Sequence, residues 1–447
     1  MLKLYNSFSN LLEEVELNKK EVKVYLCGPT VQSSPHLGHG RSAVVFDFLV
    51  RYLNYLEYKV TFVRNITDID DKIIEKSLEE DISYSELGTR VSVEFQNAYE
   101  KLNCIKPDSE PKATEFIDEI IKYIEILVEN KFAYISKSGV YYDISKFDDY
   151  LLLSGRKKED VLSGTRVEIE EDKNSPEDFA LWKFSKENEP YWDSPWGSGR
   201  PGWHIECSSM IESILGKTID IHCGGNDLIF PHHENEIAQS CCANGTETFS
   251  NYWIHNGFIT QSNEKMSKSQ GNILKIRDFK ENINGQVLRL ALMSAHYRQP
   301  LDWNDKLLEE SQKTIDKWYN SYIELDKPKL ISDHDLHPLY DDLNTPKYIA
   351  NIHKLYEKSQ SGNLEDKKVF VSACNFVGLL TETKEEWNNF KKNKSTLSNE
   401  FIEIKIKERN KARDDKNYEL ADKIRNELLE KGVQIEDKDG KTSWKFK

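Results

Sequence analysis

The stretch from Val22 to Val63 constrains the chain most. A short apolar strand, Val22 to Cys27, is broken by Gly28-Pro29, and Ala43, Val44, Phe46, Phe48, Leu49, Tyr52 and Leu53 then populate a helix. A second strand, Val60 to Val63, follows the Tyr58-Lys59 turn. Strand, glycine-containing loop, helix and strand make the opening βαβ of a parallel nucleotide-binding sheet, whose crevice lies beyond Cys27. Strand signals return at Ile219 to His222 and Trp253 to Ile259, with a helix predicted from about Pro231 to Ala243 between them. The intervening region, about Pro111 to Gly199, reads as an insertion. It carries an amphipathic helix through Phe116, Ile120, Tyr123 and Leu127, then a hairpin over Phe132 to Asp143 turning at Ser138-Gly139. The fold class expected is therefore α/β, a Rossmann-like parallel sheet split in sequence.

Beyond Trp303 the pattern is helical and charged to about Lys392, through Leu307 to Tyr319 and Thr345 to Lys358, and predicts a supporting helical bundle. The last 55 residues hold 14 Lys/Arg against 12 Asp/Glu, while the whole chain of 447 residues carries a net charge of −15, so the tail is locally basic on an acidic body. In the tail Leu420, Ile424 and Leu428 recur every four residues, Gly432 stands where a helix would end, and Asp439-Gly440 is a hairpin turn signal. Arg409, Lys411, Arg413, Trp444 and Lys445 offer phosphate contacts and base stacking there. The acidic balance gives no hint of a nucleic-acid coat. With no apolar run near the ~18 residues of a membrane span and no signal-peptide pattern at Met1 to Asn6, a soluble cytoplasmic protein is expected. Seven thinly spread cysteines make a disulfide framework improbable.

Three constellations carry chemistry. His36-Leu37-Gly38-His39-Gly40 sits at a loop-to-helix junction, where free N–H groups and the helix dipole favour anions. Two histidines one turn apart can face one phosphate chain, and Gly38 lets a flat base approach the backbone. Lys265-Met266-Ser267-Lys268-Ser269, a polar loop with two lysines, can clamp a triphosphate; with the histidine motif it points to adenylyl transfer. The third set is metal-like: Cys27, Cys207, and in Pro231-His232-His233-Glu234-Asn235-Glu236 the pair His232 and Glu236 on one side of a helix. Spacing alone does not separate His232 from His233.

Longer blocks join these. They are Cys27-Gly28-Pro29-Thr30-Val31, Arg64 to Lys72 (RNITDIDDK), Gly202-Trp203-His204-Ile205-Glu206-Cys207, the run from Asp220-Ile221-His222 through Gly224-Gly225 to Glu236, and in the tail Ala421-Asp422-Lys423-Ile424-Arg425 with Gly440 and Trp444. In this order they resemble the cysteinyl-tRNA synthetases, a class I aminoacyl-tRNA synthetase family, over essentially the whole chain. Leu37 in place of the common Ile and Gln32 in place of a frequent Tyr are the departures, and neither touches an expected ligand.

The resemblance implies one zinc ion held by Cys27, Cys207, His232 and Glu236, with Thr67, Trp203 and His222 lining a cysteine pocket. It implies ATP bound by His36, Gly38, His39 and Asp227, magnesium on its phosphates, and Lys268 helped by Lys265 against charge developing on the α-phosphate. The implied reaction joins L-cysteine to ATP as cysteinyl-adenylate and then transfers it to tRNA-Cys. Zinc would select the thiol over serine's hydroxyl without an editing domain, since packing alone separates such a pair by only about 1 to 3 kcal/mol.

The implied division is a Rossmann-like catalytic domain over 1–112 and 201–260, a connective insertion over 113–200 near the acceptor end, and a KMSKS loop and stem-contact region over 261–305. A helical bundle over 306–392 and a small α+β anticodon-binding domain over 393–447 complete it. A monomer without membrane contact is expected. Two alternatives stand beside this: a mycothiol-pathway ligase joining activated cysteine to an amino sugar, against which the basic tail argues, and a catalytically idle tRNA-binding relative.

Overall fold

The computed structural model describes residues 2–18, 20–157, 172–261, 264–265, 273–279, 283–329, 331–394, 399–415, 417–430, 433–438 and 441–446. Its centre is a four-stranded parallel sheet in the order Ser250–Asn256, Ile219–Gly225, Val22–Leu26, Val60–Arg64. The first two strands in sequence lie side by side, and the later two are added on one flank, so the sheet is split by the chain between Arg64 and Ile219 as the alternation predicts.

The helix after the first strand runs from Leu37 to Tyr55. Nearly all of its residues from Ala43 to Leu53 are buried, because one face packs on the sheet and the other on later helices. One core therefore runs from Val24 and Ile221 through Phe48 and Leu49 to Trp318, Tyr348, Phe370 and Trp387. The bundle comprises Gly285–Leu292, Asp305–Trp318, Asp333–Tyr340, Thr345–Ser359, Leu364–Phe376 and Lys384–Lys394. Asn304, Asn344 and Asn363 cap three of these helices by accepting N–H bonds from Leu307, Lys347 and Glu365.

The insertion has its own core, in which Ile120, Tyr123 and Leu127 of the helix Ile117–Glu129 meet Tyr142 and Trp182. Its antiparallel sheet runs Ala133–Ile135, Gly139–Tyr142, Phe179–Phe184, Gly199–Pro201. Asp71, at the start of the helix Asp71–Glu79, binds it to the half that carries the parallel sheet through Lys183 (2.6 Å) and Arg200.

The structure departs from the sequence reading at one strand boundary and in the tail. The apolar run Trp253 to Ile259 is two strands, because at Gly257 the chain leaves the parallel sheet and Ile259–Gln261 pairs instead with Glu264–Lys265 and Leu301–Asp302. A Cβ at Gly257 would lie 2.7 Å from the Gln299 carbonyl, and Arg41 donates to the carbonyls of Gly257, Phe258 and Gln299, pinning the break. The helix expected from about Pro231 starts there: Phe230, which precedes the proline, is extended (φ −137°, ψ 131°), and the residues after it are helical, a wider turn to His233 running into the α-helix Glu234–Asn244. In the tail, the helix Tyr418–Glu430 buries Ile424 and Leu428 but leaves Leu420 44% exposed. The ribbon Val433–Lys438 and Lys441–Phe446 forms as expected, while Gly432 and Asp439-Gly440 lie outside the described residues. Arg409, read as a phosphate contact, is buried and donates to both oxygens of Asp437, which Arg413 also meets. Among the described residues no helix is long and apolar enough to cross a membrane.

Candidate active site

The carboxyl ends of the parallel strands carry the chemistry, as an open α/β sheet requires. Leu26 leads into Cys27, Arg64 into Asn65 and Thr67, Gly225 into Asp227, and Asn256 into Gly257. Between these ends and the start of the first helix lies a cavity of about 350 Å³ whose lining includes Cys27, His36, Gly38, His39, Trp203 and Asp227.

His36 caps the first helix. Its Nδ1 accepts the Gly38 N–H (3.1 Å), and the Nδ1 of His39 accepts the His36 N–H (3.2 Å). Both rings must then carry their proton on Nε2, the donor form suited to phosphate oxygens, and they stack with centroids 3.7 Å apart. Gly38 has a reason beyond the one read from sequence: a Cβ there would stand 2.9 Å from Cε1 of His36. Just past the lysine motif, Leu274 accepts from Leu37 N–H and Ile276 donates to Pro35, so that segment is tied to the histidine motif.

Deeper, four ligating atoms converge. Cys27 Sγ lies 3.8 Å from Cys207 Sγ and 3.3 Å from Glu236 Oε1, while His232 Nε2 lies 3.6 Å from Cys207 Sγ and 3.1 Å from Glu236 Oε1. All four residues are buried. Corners at zinc–ligand bond lengths of about 2.0 to 2.3 Å make tetrahedron edges of about 3.3 to 3.8 Å, so the donor set fits zinc in kind and in spacing. Burial, Cys207 and Glu236 push the Cys27 thiol well above its ordinary value, and in Cys207 burial and Glu236 outweigh the lowering bond from Cys27. Only a cation among them lets both thiols ionise. Glu236 is held below the carboxylate range despite burial, because His222 and His232 face it. A second arrangement, Cys27, His222, His233 and Glu236, is equally compact and keeps the ambiguity between His232 and His233 alive in space. In it, however, Nδ1 of His233 is 2.8 Å from His255.

A family model described as the class I (C) tRNA synthetase catalytic domain matches residues 13–313. The chain is similar to the cysteine–tRNA ligase of Pelagibacter ubique, 57% identical over 448 residues covering 99% of each chain. It is also similar to that of Thermodesulfovibrio yellowstonii, 43% identical over 487 residues covering 100% of each. The chain belongs to the cysteine–tRNA ligase family. In fold it resembles a Mycobacterium tuberculosis methionyl-tRNA synthetase in complex with methionyl-adenylate, with a TM-score of 0.58 at 16% identity over 80% of this chain and 89% of that one. A class I synthetase fold thus accompanies an aminoacyl-tRNA ligase family.

Of the residues expected of a cysteine–tRNA ligase, Cys27, Cys207, His232 and Glu236 come together, with Nε2 of His222 2.8 Å from Glu236 and Trp203 stacked on His232 at 4.3 Å. Thr67 is buried and turned to Glu206, to whose Oε2 it donates at 3.0 Å, while Asn65 donates to Thr67. Lys265 is described only through its strand pairing with Thr260, and Lys268, with the rest of 266–270, lies outside the described residues. Cys223, Cys241 and Cys242 are buried and stand in neither ligand set.

Sequence reasoning passed over His204, whose Nδ1 lies 2.9 Å from Nδ1 of His232. For His232 to present a lone pair at Nε2, its Nδ1 must carry the proton and donate to His204. It also passed over Glu234, which accepts N–H bonds from Leu151 (2.9 Å) and Ser154 (2.8 Å) and fastens the insertion to this corner. Polar residues flanking Cys207 and Glu236 on buried helices were the available signal.

Proposed function

We propose that the chain is a cysteine–tRNA ligase that activates L-cysteine with ATP and transfers it to the 3′ end of tRNA-Cys. The observation that carries the reading is the convergence of two thiols, an imidazole and a carboxylate beside a cavity walled by the paired histidines. The cysteine carboxylate attacks the α-phosphate of ATP, forming the mixed anhydride and releasing pyrophosphate; a hydroxyl of the terminal tRNA adenosine then takes the cysteinyl group and releases AMP. Both nucleophiles come from substrates, so the chain's task is positioning and charge stabilisation.

His36 and His39 act as neutral Nε2–H donors to phosphate oxygens, and Gly38 leaves room for them. Asp227 lies by the adenosine side of ATP, while Lys265 and Lys268 balance charge on the α-phosphate; magnesium accompanies the ATP phosphates. Cys27, Cys207, His232 and Glu236 would hold one zinc ion, which would supply a borderline-soft Lewis acid favouring a thiol over a hydroxyl. Thr67, Trp203 and His222 shape the cysteine pocket. The insertion, 113–200, is assigned to the acceptor end and the tail, 393–447, to the anticodon, in a cytoplasmic monomer.

The test is charging of deacylated total tRNA by the zinc-loaded protein with ATP and labelled cysteine, with serine and an amino-sugar acceptor in parallel. Cysteine on tRNA, without serine, is expected. Cysteine-dependent pyrophosphate exchange with transfer only to the amino sugar would replace this reading with the sugar-ligase one.

A further inference from the structure

A second cavity, of about 400 Å³, opens at the outer edge of the parallel sheet and shares no lining residue with the first. Its walls come from the N-terminal hairpin, the 147–152 loop of the insertion, the helix Glu234–Asn244 and the edge strand Ser250–Asn256. Phe8, Phe147 and Tyr252 present ring surface to it, and the buried Phe249 and Trp253 form its floor. Phe8 and Leu152 at its rim are 42% and 52% exposed.

Four carboxylates also line it: Glu13, Glu16, Asp149 and Glu247. Glu13 is engaged by Asn6 Nδ2 (3.0 Å) and Ser9 Oγ (2.5 Å), whereas Glu16, Asp149 and Glu247 form no ion pair among the described residues. No Lys, Arg or His lines the cavity. Aromatic faces beside unpaired carboxylates attract a cation twice over, through the ring quadrupole and through charge. The same carboxylates repel ATP and phosphates, so this cavity does not extend the nucleotide site. Its volume is that of a small-ligand pocket.

We propose that this cavity is a second small-molecule site, for an organic ammonium ion carrying an aliphatic or aromatic body. It lies back to back with the first site, for Trp253 in its wall stacks at 4.4 Å on His222.

The test uses the full chain and two probes of matched size and opposite charge, phenethylammonium and 3-phenylpropionate. Calorimetry is expected to show uptake of the ammonium ion alone, weakened by salt. Asp149→Asn combined with Glu247→Gln should lower its affinity on the order of tenfold, and Phe8→Ala, at the rim, by about fivefold. Hydrogen-exchange protection should fall on 147–152 and 247–253. Equal uptake of both probes, unchanged affinity in both variants, protection at 27–43 and 225–228 instead, or no uptake at millimolar concentration would each overturn the proposal.

Discussion

His204 and Gly38 show how much of the site is decided by single atoms. With His204 fixing the tautomer of His232 across 2.9 Å, His204→Ala is expected to weaken zinc about 10- to 100-fold in competition with a chromophoric chelator; unchanged affinity would remove the positioning role. Gly38→Ala drives a methyl into the His36 ring. It should raise the KM for ATP about tenfold while leaving the KM for cysteine alone, and equal rises in both would point to general damage. The histidine and lysine motifs were legible because their residues are close in sequence. His204 was not, since its partner is 28 positions away and only the packing of two helices makes them neighbours. Arg41 is hidden for the same reason: its carbonyl partners, at 257–258 and 296–299, lie 216 to 258 positions away in sequence.

Among elements, the βαβ opening, the insertion hairpin and the bundle helices were readable from periodicity, whereas their junctions were not. The helix expected at Pro231 starts directly after the extended Phe230, but the strand expected through Ile259 breaks where Gly257 meets the Gln299 carbonyl. A contact distant in sequence sets that limit. The joint at Asp71 belongs to the same class. Burial would raise its carboxyl, but Lys183 and Arg200 outweigh burial and hold it below the ordinary value. A lowered folded-state value contributes stability above the unfolded value of about 3.9 and loses it as pH falls through the folded one. Asp71 is partly exposed, so the effect is modest. The melting temperature of Asp71→Asn should lie below that of the parent near neutral pH, and the gap should close below about pH 4. A gap independent of pH would contradict the joint.

The C-terminal unit is an element of another kind. Its own small core joins Ile402, Ile406, Ile424, Leu428, Val433 and Ile435 and is separate from the main one. Leu428→Ala should cost that unit about 2 to 5 kcal/mol. Calorimetry should show a lowered first transition, with tRNA charging impaired and cysteine-dependent pyrophosphate exchange retained. Loss of exchange in step with charging would mean that the unit is not separable.

Across the whole molecule, a net charge of −15 must meet a polyanion. Contact is therefore confined to local basic tracks, and the KM for tRNA should rise with salt while that for cysteine does not. The fold class and the family were legible because long blocks of sequence lie at the carboxyl ends of the strands, where backbone and substrate leave little freedom. The second cavity was invisible, being assembled from four segments that share no motif. The central claim is that the cluster of Cys27, Cys207, His232 and Glu236 selects cysteine through a bound metal. Its most direct test is cysteine-dependent pyrophosphate exchange, beside zinc content, as the metal is stripped and restored. Exchange that falls with zinc content and returns with added zinc, with serine inactive throughout, is the predicted result; full exchange by metal-free protein would contradict it.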